Sequence, residues 1–252
     1  VNVLLTGYKG FIGGHMLTAL ANAGHNVSTY EWGETLPSVA DQDWVVHIGA
    51  ISSTTERDVD KVLKQNFDFS RQLYDASRTS GVNFQYSSSA SVYGLTSTFQ
   101  EDAPVDPRTP YAWSKYLFER YVRDNPSKSI VQGFRYFNVY GPEGEEHKGD
   151  QASPFAKFKH QAETQGKIKI FENSENYLRD FVHVSKIVDA HIDFMRKSVS
   201  GLWNLGTGET MSFLQVAESF GVPVEFVPMP DVLKTSYQTY TCADMTKFNQ
   251  VR

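Results

Sequence analysis

A chain of 252 residues can bury one large core, or one large domain with a smaller lobe beside it. Its 40% hydrophobic and 13% aromatic residues are those of an ordinary soluble globular protein, and a net charge of −5 leaves no basic excess for a nucleic-acid partner. No apolar run is long enough to span a membrane, and the first residues read as a strand, not a signal peptide. The lone Cys242 fits a reducing, cytoplasmic setting.

Val1 to Thr6 is an apolar strand that runs straight into Gly7-Tyr8-Lys9-Gly10-Phe11-Ile12-Gly13. Helical periodicity from Gly14 to Ala23 ends at Gly24, and Asn26 to Tyr30 is a second strand stopping at Glu31. Asn26-Val27-Ser28 matches a glycosylation acceptor only formally, because it lies inside that strand. A strand at Trp44 to His47 precedes a helix from about Asp58 to Ser80, marked by Val62, Phe69 and Leu73 and closed by Gly81. Phe84 to Ser87 is a strand entering a serine-rich loop; Tyr111 to Asp124 is helical and Ile130 to Tyr136 extended. This alternation predicts an α/β fold with a doubly wound parallel sheet.

Beyond Gly141-Pro142 the rhythm changes. Gly144 to Asp150 reads as a loop, Pro154 to Gln165 as a helix, Leu178 to Val184 as extended and Val184 to Met195 as a helix. The expected organisation is a Rossmann domain over 1–140 and a smaller substrate lobe over 141–252, with part of 181–203 returning to the sheet.

Chemistry enters with Gly7-x-x-Gly10-x-x-Gly13. Glycines between a strand and a helix permit a tight turn and let the backbone approach a pyrophosphate at the positive helix end. Such a pattern is weak alone, and its place in a β-α-β unit strengthens it. Glu31 stands where an acidic side chain accepts the adenosine ribose hydroxyls, which favours NAD. Lys9 could instead face a 2′-phosphate, which favours NADP, so the cofactor choice stays open.

Tyr111 and Lys115 are one helical turn apart and share a face. An ammonium near a phenol favours the phenolate, so the pair is expected to lower the tyrosine pKa from about 10 and permit proton transfer. Tyr-x-x-x-Lys occurs by chance in many helices. Upstream, however, Ser87-Ser88-Ser89-Ala90-Ser91-Val92-Tyr93-Gly94 ends a strand where a hydroxyl can reach the reacting oxygen, and three motifs in this order make coincidence improbable. The seven histidines show no metal-ligand spacing, so no metal is expected.

These motifs, with Gly133-Phe134-Arg135-Tyr136-Phe137-Asn138-Val139-Tyr140-Gly141-Pro142, resemble the extended short-chain dehydrogenases that act on nucleotide sugars, over nearly the whole chain. Within that group the chain most resembles the ADP-glycero-manno-heptose 6-epimerases. Ser52 to Glu56, Gly144 to Gly149, Phe171 to Val182 and Tyr237 to Tyr240 carry this narrower likeness.

The resemblance implies Ser89, Tyr111 and Lys115 as catalytic residues, with Lys148 as a second acid/base group. It implies that Gly7, Gly10, Phe11, Ile12, Gly13, Glu31, Trp32, Gly49, Ala50, Asn66, Tyr111, Lys115 and Val139 hold NADP or NAD, one per subunit. Asn138, Phe171, Glu172, Ser174, Arg179 and Tyr237 would hold the nucleotide sugar; Asp150 and Lys157 depart from the pattern nearby. Arg179 suits a diphosphate by its bidentate guanidinium, although a surface pair with Asp180 is the plain alternative. The implied reaction oxidises C6, turns the aldehyde and reduces its other face. A small-molecule substrate and a homo-oligomeric state are expected.

A 4,6-dehydratase is disfavoured because Ala90-Ser91 replaces its acid pair, a 4-epimerase by His147-Lys148-Gly149, and a non-catalytic regulator by the intact phenol. One departure stands out. Such domains place a helix, a strand and a helix between the second strand and the one at Trp44, where this chain has only Trp32 to Asp43. A single crossover with its helix needs about 10–12 residues, so the third strand should be missing or vestigial and the adenine side unusually open.

Overall fold

Strand β1 (Asn2–Thr6), helix α1 (Phe11–Asn22) and strand β2 (Asn26–Tyr30) open the fold of this computed structural model, β1 and β2 pairing in parallel. The structure describes residues 1–49, 51–141, 144–231 and 238–252. Strand β3 (Trp44–His47), helix α2 (Val59–Leu63), a π-helical turn (Lys64–Asp68), helix α3 (Phe69–Ser80) and strand β4 (Asn83–Ser89) follow. A 3₁₀ turn (Ala90–Tyr93), helix α4 (Pro110–Asp124) and strand β5 (Val131–Tyr136) come next.

The remainder comprises β6 (Asn138–Tyr140), α5 (Pro154–Gln165), β7 (Ile168–Phe171), β8 (Leu178–Arg179), β9 (Phe181–His183) and α6 (Val184–Met195). After these come β10 (Gly201–Leu205), β11 (Met211–Ser212), α7 (Phe213–Glu218), β12 (Val224–Val227), β13 (Tyr240–Thr241) and α8 (Thr246–Val251). No helix is long and apolar enough to cross a membrane among the described residues.

Six strands form the main sheet in the order β10-β5-β4-β3-β1-β2, every pair parallel. A parallel sheet must be covered on both faces, and the alternation of side chains along each strand does this. Leu4, Val45 and Phe84 point to the face packed by Leu73, Tyr74 and Phe118 of α3 and α4. Val3, Leu5, Trp44 and Val46 point to the other, against Met16, Leu20, Val184 and Val188 of α1 and α6. The second lobe has its own core, with Phe158, Ile168, Ile170, Phe181, Val216 and Ala217.

β2 is the edge of the sheet, and residues 31–43 form only turns and bends, as their number dictates. Within them Val39 is buried in the core, and Asp43 ties back to β1 through Asn2 in both directions. Other elements differ from expectation for local reasons. α1 begins at Phe11 and not Gly14, so the end of the glycine loop is already the first helical turn. The helix expected from about Asp58 to Ser80 is interrupted by the π turn, which holds the buried Asn66.

Residues 146–151 form a 3₁₀ turn, not a plain loop, with Gly149 at φ +51 inside it. The extended run from Leu178 to Val184 is two strands of different sheets, broken at the fully buried Asp180. Its carboxylate accepts from the amides of Thr207, Gly208 and Ala243 and from the Thr207 hydroxyl, so it pairs with a loop, not with Arg179 in the manner of a surface bridge. The return to the main sheet also extends past residue 203: β10 ends at Leu205, and Phe248 of α8 stacks on Phe194, 5.2 Å between ring centres.

Beneath the ends of β4 and β5, Arg135 and Glu119 form a buried ion pair, with Nη2 to Oε2 at 2.7 Å and Nε to Oε1 at 2.9 Å. The Ser88 hydroxyl donates to the same carboxylate. Arg135→Leu leaves Glu119 without its cation and is expected to cost about 3–5 kcal/mol of stability, read by chemical denaturation.

Candidate active site

β1 and β3 are neighbours whose following helices leave to opposite faces of the sheet, which opens a crevice beyond their C-terminal ends. The backbones converge there. Gly7 sits at φ +78, and a Cβ on it would lie 2.4 Å from the Gly49 Cα. A Cβ on Gly13 would lie 1.9 Å from the Gly7 carbonyl oxygen. α1 has no side-chain cap at Gly10, so the amides of its first turn remain for an anionic group. These residues fit a dinucleotide pyrophosphate.

The crevice is a cleft of about 610 Å³. It brings together Gly7, Gly10, Phe11, Ile12, Gly13, Glu31 and Gly49 on the glycine-loop side, and Ser89, Tyr111, Lys115, Asn138, Val139 and Lys148 on the other. A recess of about 100 Å³ adjoins it on the adenine side, lined by Tyr30, Glu31, Trp32, Ile51, Gln65 and Phe69 among others. Trp32 meets Phe69 edge-on at 5.6 Å and supplies part of the wall that a third strand would have given, while staying 43% exposed.

Asn66 stands behind the wall, not on it. Its amide accepts from the Ile51 N–H at 2.8 Å and donates to the Ile51 carbonyl at 2.9 Å, so it sets the chain after β3. Phe171, Glu172, Ser174 and Arg179 lie outside the cleft lining, around β7 and β8. Arg179 is buried, donating to the carbonyls of Leu178 and Gln238 and lying over the Phe213 ring. Ala50 and Tyr237 lie outside the described residues.

Local capping places Tyr111 and Ser89. Thr109 caps α4 by accepting from the Ala112 amide, and Pro110 starts the helix, so Tyr111 falls in its first turn. Ser89 ends β4 and accepts from the Ser91 amide at 3.1 Å, which leaves its hydroxyl proton free to donate. Ser89 stands on the same side of the cleft and acts to lower the pKa of the Tyr111 phenol.

The expected effect of Lys115 on Tyr111 needs correction. Lys115 Nζ is 5.8 Å from the centre of the Tyr111 ring and donates to the Ser87 carbonyl at 2.9 Å and hydroxyl at 3.3 Å. Burial is the largest influence on the phenol and raises its pKa, because removing water disfavours phenolate; Ser89 opposes this. Lys115 is itself pushed down to about 8 by burial, with Glu119 one turn further along α4 pulling the other way.

Lys148 enters from the 3₁₀ turn, its Nζ 4.2 Å from the centre of the Phe11 ring and 3.4 Å from Glu145 Oε2. Burial lowers its pKa and Glu145 opposes the shift. Glu145 is itself fixed by the Ser153 amide and hydroxyl, each at 2.7 Å.

Several residues of the site were not singled out as site residues from the sequence. Glu145 is three residues before Lys148 and Glu119 four after Lys115, spacings that could have drawn attention to both. Tyr136 lines the cleft and bonds His191 at 2.5 Å, and nothing local in the sequence joins those two. His47 bonds the hydroxyls of Thr6 and Ser70; burial, aided by the Lys115 charge, pushes it down to about 3 and keeps it neutral.

A model of the NAD dependent epimerase/dehydratase family matches residues 3–206. Among solved structures, the Helicobacter pylori ADP-L-glycero-D-manno-heptose-6-epimerase aligns at TM-score 0.87 and 24% identity, over 99% of this chain and 89% of that one. A Thermotoga maritima UDP-glucose 4-epimerase with UDP-glucose aligns at 0.84 and 26%, over 99% and 92%. MoeE5 in complex with UDP-glucuronic acid and NAD aligns at 0.81 and 26%, over 100% and 92%.

The depressed Lys115 has a consequence for stability. Between about 8 and the free-lysine value of 10.5 the unfolded chain binds more protons than the fold, so this group adds stability as pH rises through that window. Urea denaturation of cofactor-stripped protein at several pH values should show the gain, and Lys115→Met should lack it.

Proposed function

The chain belongs to the NAD-dependent epimerase/dehydratase family, and on that premise we propose that it inverts C6 of an ADP-linked glycero-manno-heptose. The observation that carries this reading is that Lys148 lines the same cleft as Ser89, Tyr111 and Lys115, so two proton-transfer groups serve one reacting carbon. An enzyme that reduces an intermediate on the face opposite to the one it oxidised needs acid/base groups for both orientations.

When bound, the nicotinamide of NAD supplies the acceptor, and later the donor, of one hydride. Tyr111 takes the C6 hydroxyl proton as the hydride leaves, which yields an aldehyde, and Ser89 donates to the carbonyl oxygen as charge builds there. Lys115, held by Ser87 with its ammonium 5.8 Å from the centre of the Tyr111 ring, is assigned to the catalytic group by resemblance. After the aldehyde turns about its exocyclic bond, Lys148 delivers the proton as the hydride returns. Burial brings its ammonium closer to a neutral amine, and Glu145 keeps it placed. Asn138, Phe171, Glu172, Ser174, Arg179 and Tyr237 are assigned to the nucleotide sugar by resemblance to the 6-epimerases.

A UDP-hexose 4-epimerase is the competing reading, favoured by the 26% match to the Thermotoga maritima enzyme over 99% of the chain. It has no need of Lys148. Incubation with each ADP-heptose epimer, and separately with UDP-glucose, followed by NMR, separates the two. Interconversion of the heptoses without added reductant is expected; turnover of UDP-glucose alone would overturn the heptose assignment.

Tyr111→Phe and Lys148→Ala are each expected to slow epimerisation by roughly 10²–10⁴-fold, the usual contribution of a general acid/base group. Both should keep the wild-type circular dichroism spectrum. Near-normal turnover by Lys148→Ala would remove that lysine from the chemistry.

A further inference from the structure

The shortened connection after β2 turns back at once, the Glu34 amide donating to the Glu31 carbonyl at 3.0 Å. That turn lays the Glu34 carboxylate against the glycine loop. Its Oε1 accepts from Lys9 Nζ at 2.7 Å and from the Tyr8 hydroxyl at 3.2 Å, and its Oε2 from the Glu31 amide at 2.8 Å. Glu31 accepts in turn from the Lys9 amide at 3.3 Å and the Trp32 amide at 3.2 Å. Lys9 and Glu31 both line the cleft, and Glu34 stands behind them, bonded to the Lys9 ammonium and the Glu31 amide.

A ribose hydroxyl accepted by Glu31 therefore lies beside Lys9. If that oxygen carried a phosphate, two negative charges would enter a cluster that already sums to one. The cation able to receive the phosphate is held by Glu34, and separating them would expose a second bare carboxylate to the same phosphate. Like-charge contact there acts on one cofactor and spares the other.

We propose that Glu34 is a cofactor-selectivity residue: by holding the Lys9 ammonium it shuts the glycine loop to 2′-phosphorylated dinucleotides and reserves the site for NAD. This rests on the reading of the cleft as a dinucleotide site, and adds a determinant beyond Glu31. The device depends on the missing third strand, because only the immediate turn after Glu31 brings residue 34 to the loop.

Glu34→Gln tests it. The single amide oxygen still accepts from the Glu31 amide, the amide nitrogen takes the place of Oε1 beside Tyr8, and the charge that holds Lys9 is lost. The pair is solvent-exposed, so the variant should fold normally, checked by circular dichroism. Calorimetric titration of cofactor-stripped wild type, Glu34→Gln and Glu34→Gln with Lys9→Ala, each with NAD and with NADP, gives the ratio of the two dissociation constants. We expect that ratio to move toward NADP by about tenfold or more in Glu34→Gln, the scale of one charge-assisted hydrogen bond gained. Removal of Lys9 as well should restore discrimination. An unchanged ratio in Glu34→Gln, or equal weakening of both cofactors, overturns the proposal while leaving the NAD site standing. Wild type that binds neither cofactor overturns the dinucleotide reading and the proposal with it.

Discussion

The cleft exists because the backbones after β1 and β3 come closer than any side chain would permit. Gly7 and Gly49 touch where the strand order reverses, and Gly13 packs against the Gly7 carbonyl as α1 begins. That contact brings an uncapped helix N-terminus to the edge of the sheet, and a pyrophosphate then finds amides and a favourable dipole together. A methyl group at Gly7 or Gly13 would force the loop away from the strands that define the site.

Behind this contact lies an interior that is unusually polar for a sheet core. Thr6, His47, Ser70 and Asn66 are linked in series from the glycine loop to the π turn, and Asn66 donates onward to Ser114 of α4. A second cluster joins Ser88, Glu119 and Arg135 at the end of β4. A third runs from Tyr136 through His191 and Gln85 to Gln132. Buried groups of this kind are costly unless satisfied, and when satisfied they hold one arrangement against alternatives. Each chain ends on a residue that lines the cleft or directly flanks one.

The same electrostatics act on the titratable groups of the cleft. Burial works against charge on Tyr111, Lys115 and Lys148 alike, and the neighbours that oppose it are Ser89, Glu119 and Glu145 respectively. Each of the three groups thus balances desolvation against one nearby residue; Ser89 and Glu119 sit on elements anchored by the buried clusters, and Glu145 is held by Ser153.

Much of this was legible in the chain alone. Alternating apolar residues placed the parallel strands, glycines placed the turns, and the twelve residues from Trp32 to Asp43 left no room for a third strand. Tyr111 and Lys115 drew attention because one helical turn fixes their spacing, whereas Ser89 was picked from its serine run by resemblance alone. What only tertiary structure decided was the company each residue keeps. Glu119 meets Arg135 and Ser88 across 16 and 31 residues of sequence, and Glu34 reaches Lys9 across 25. The direction of the Tyr111 shift also escaped the sequence. One helical turn sets the Lys115 spacing, but the loss of water around the phenol depends on every element that closes over it. Periodicity reports which face a residue occupies; burial and partnership are properties of the packed whole.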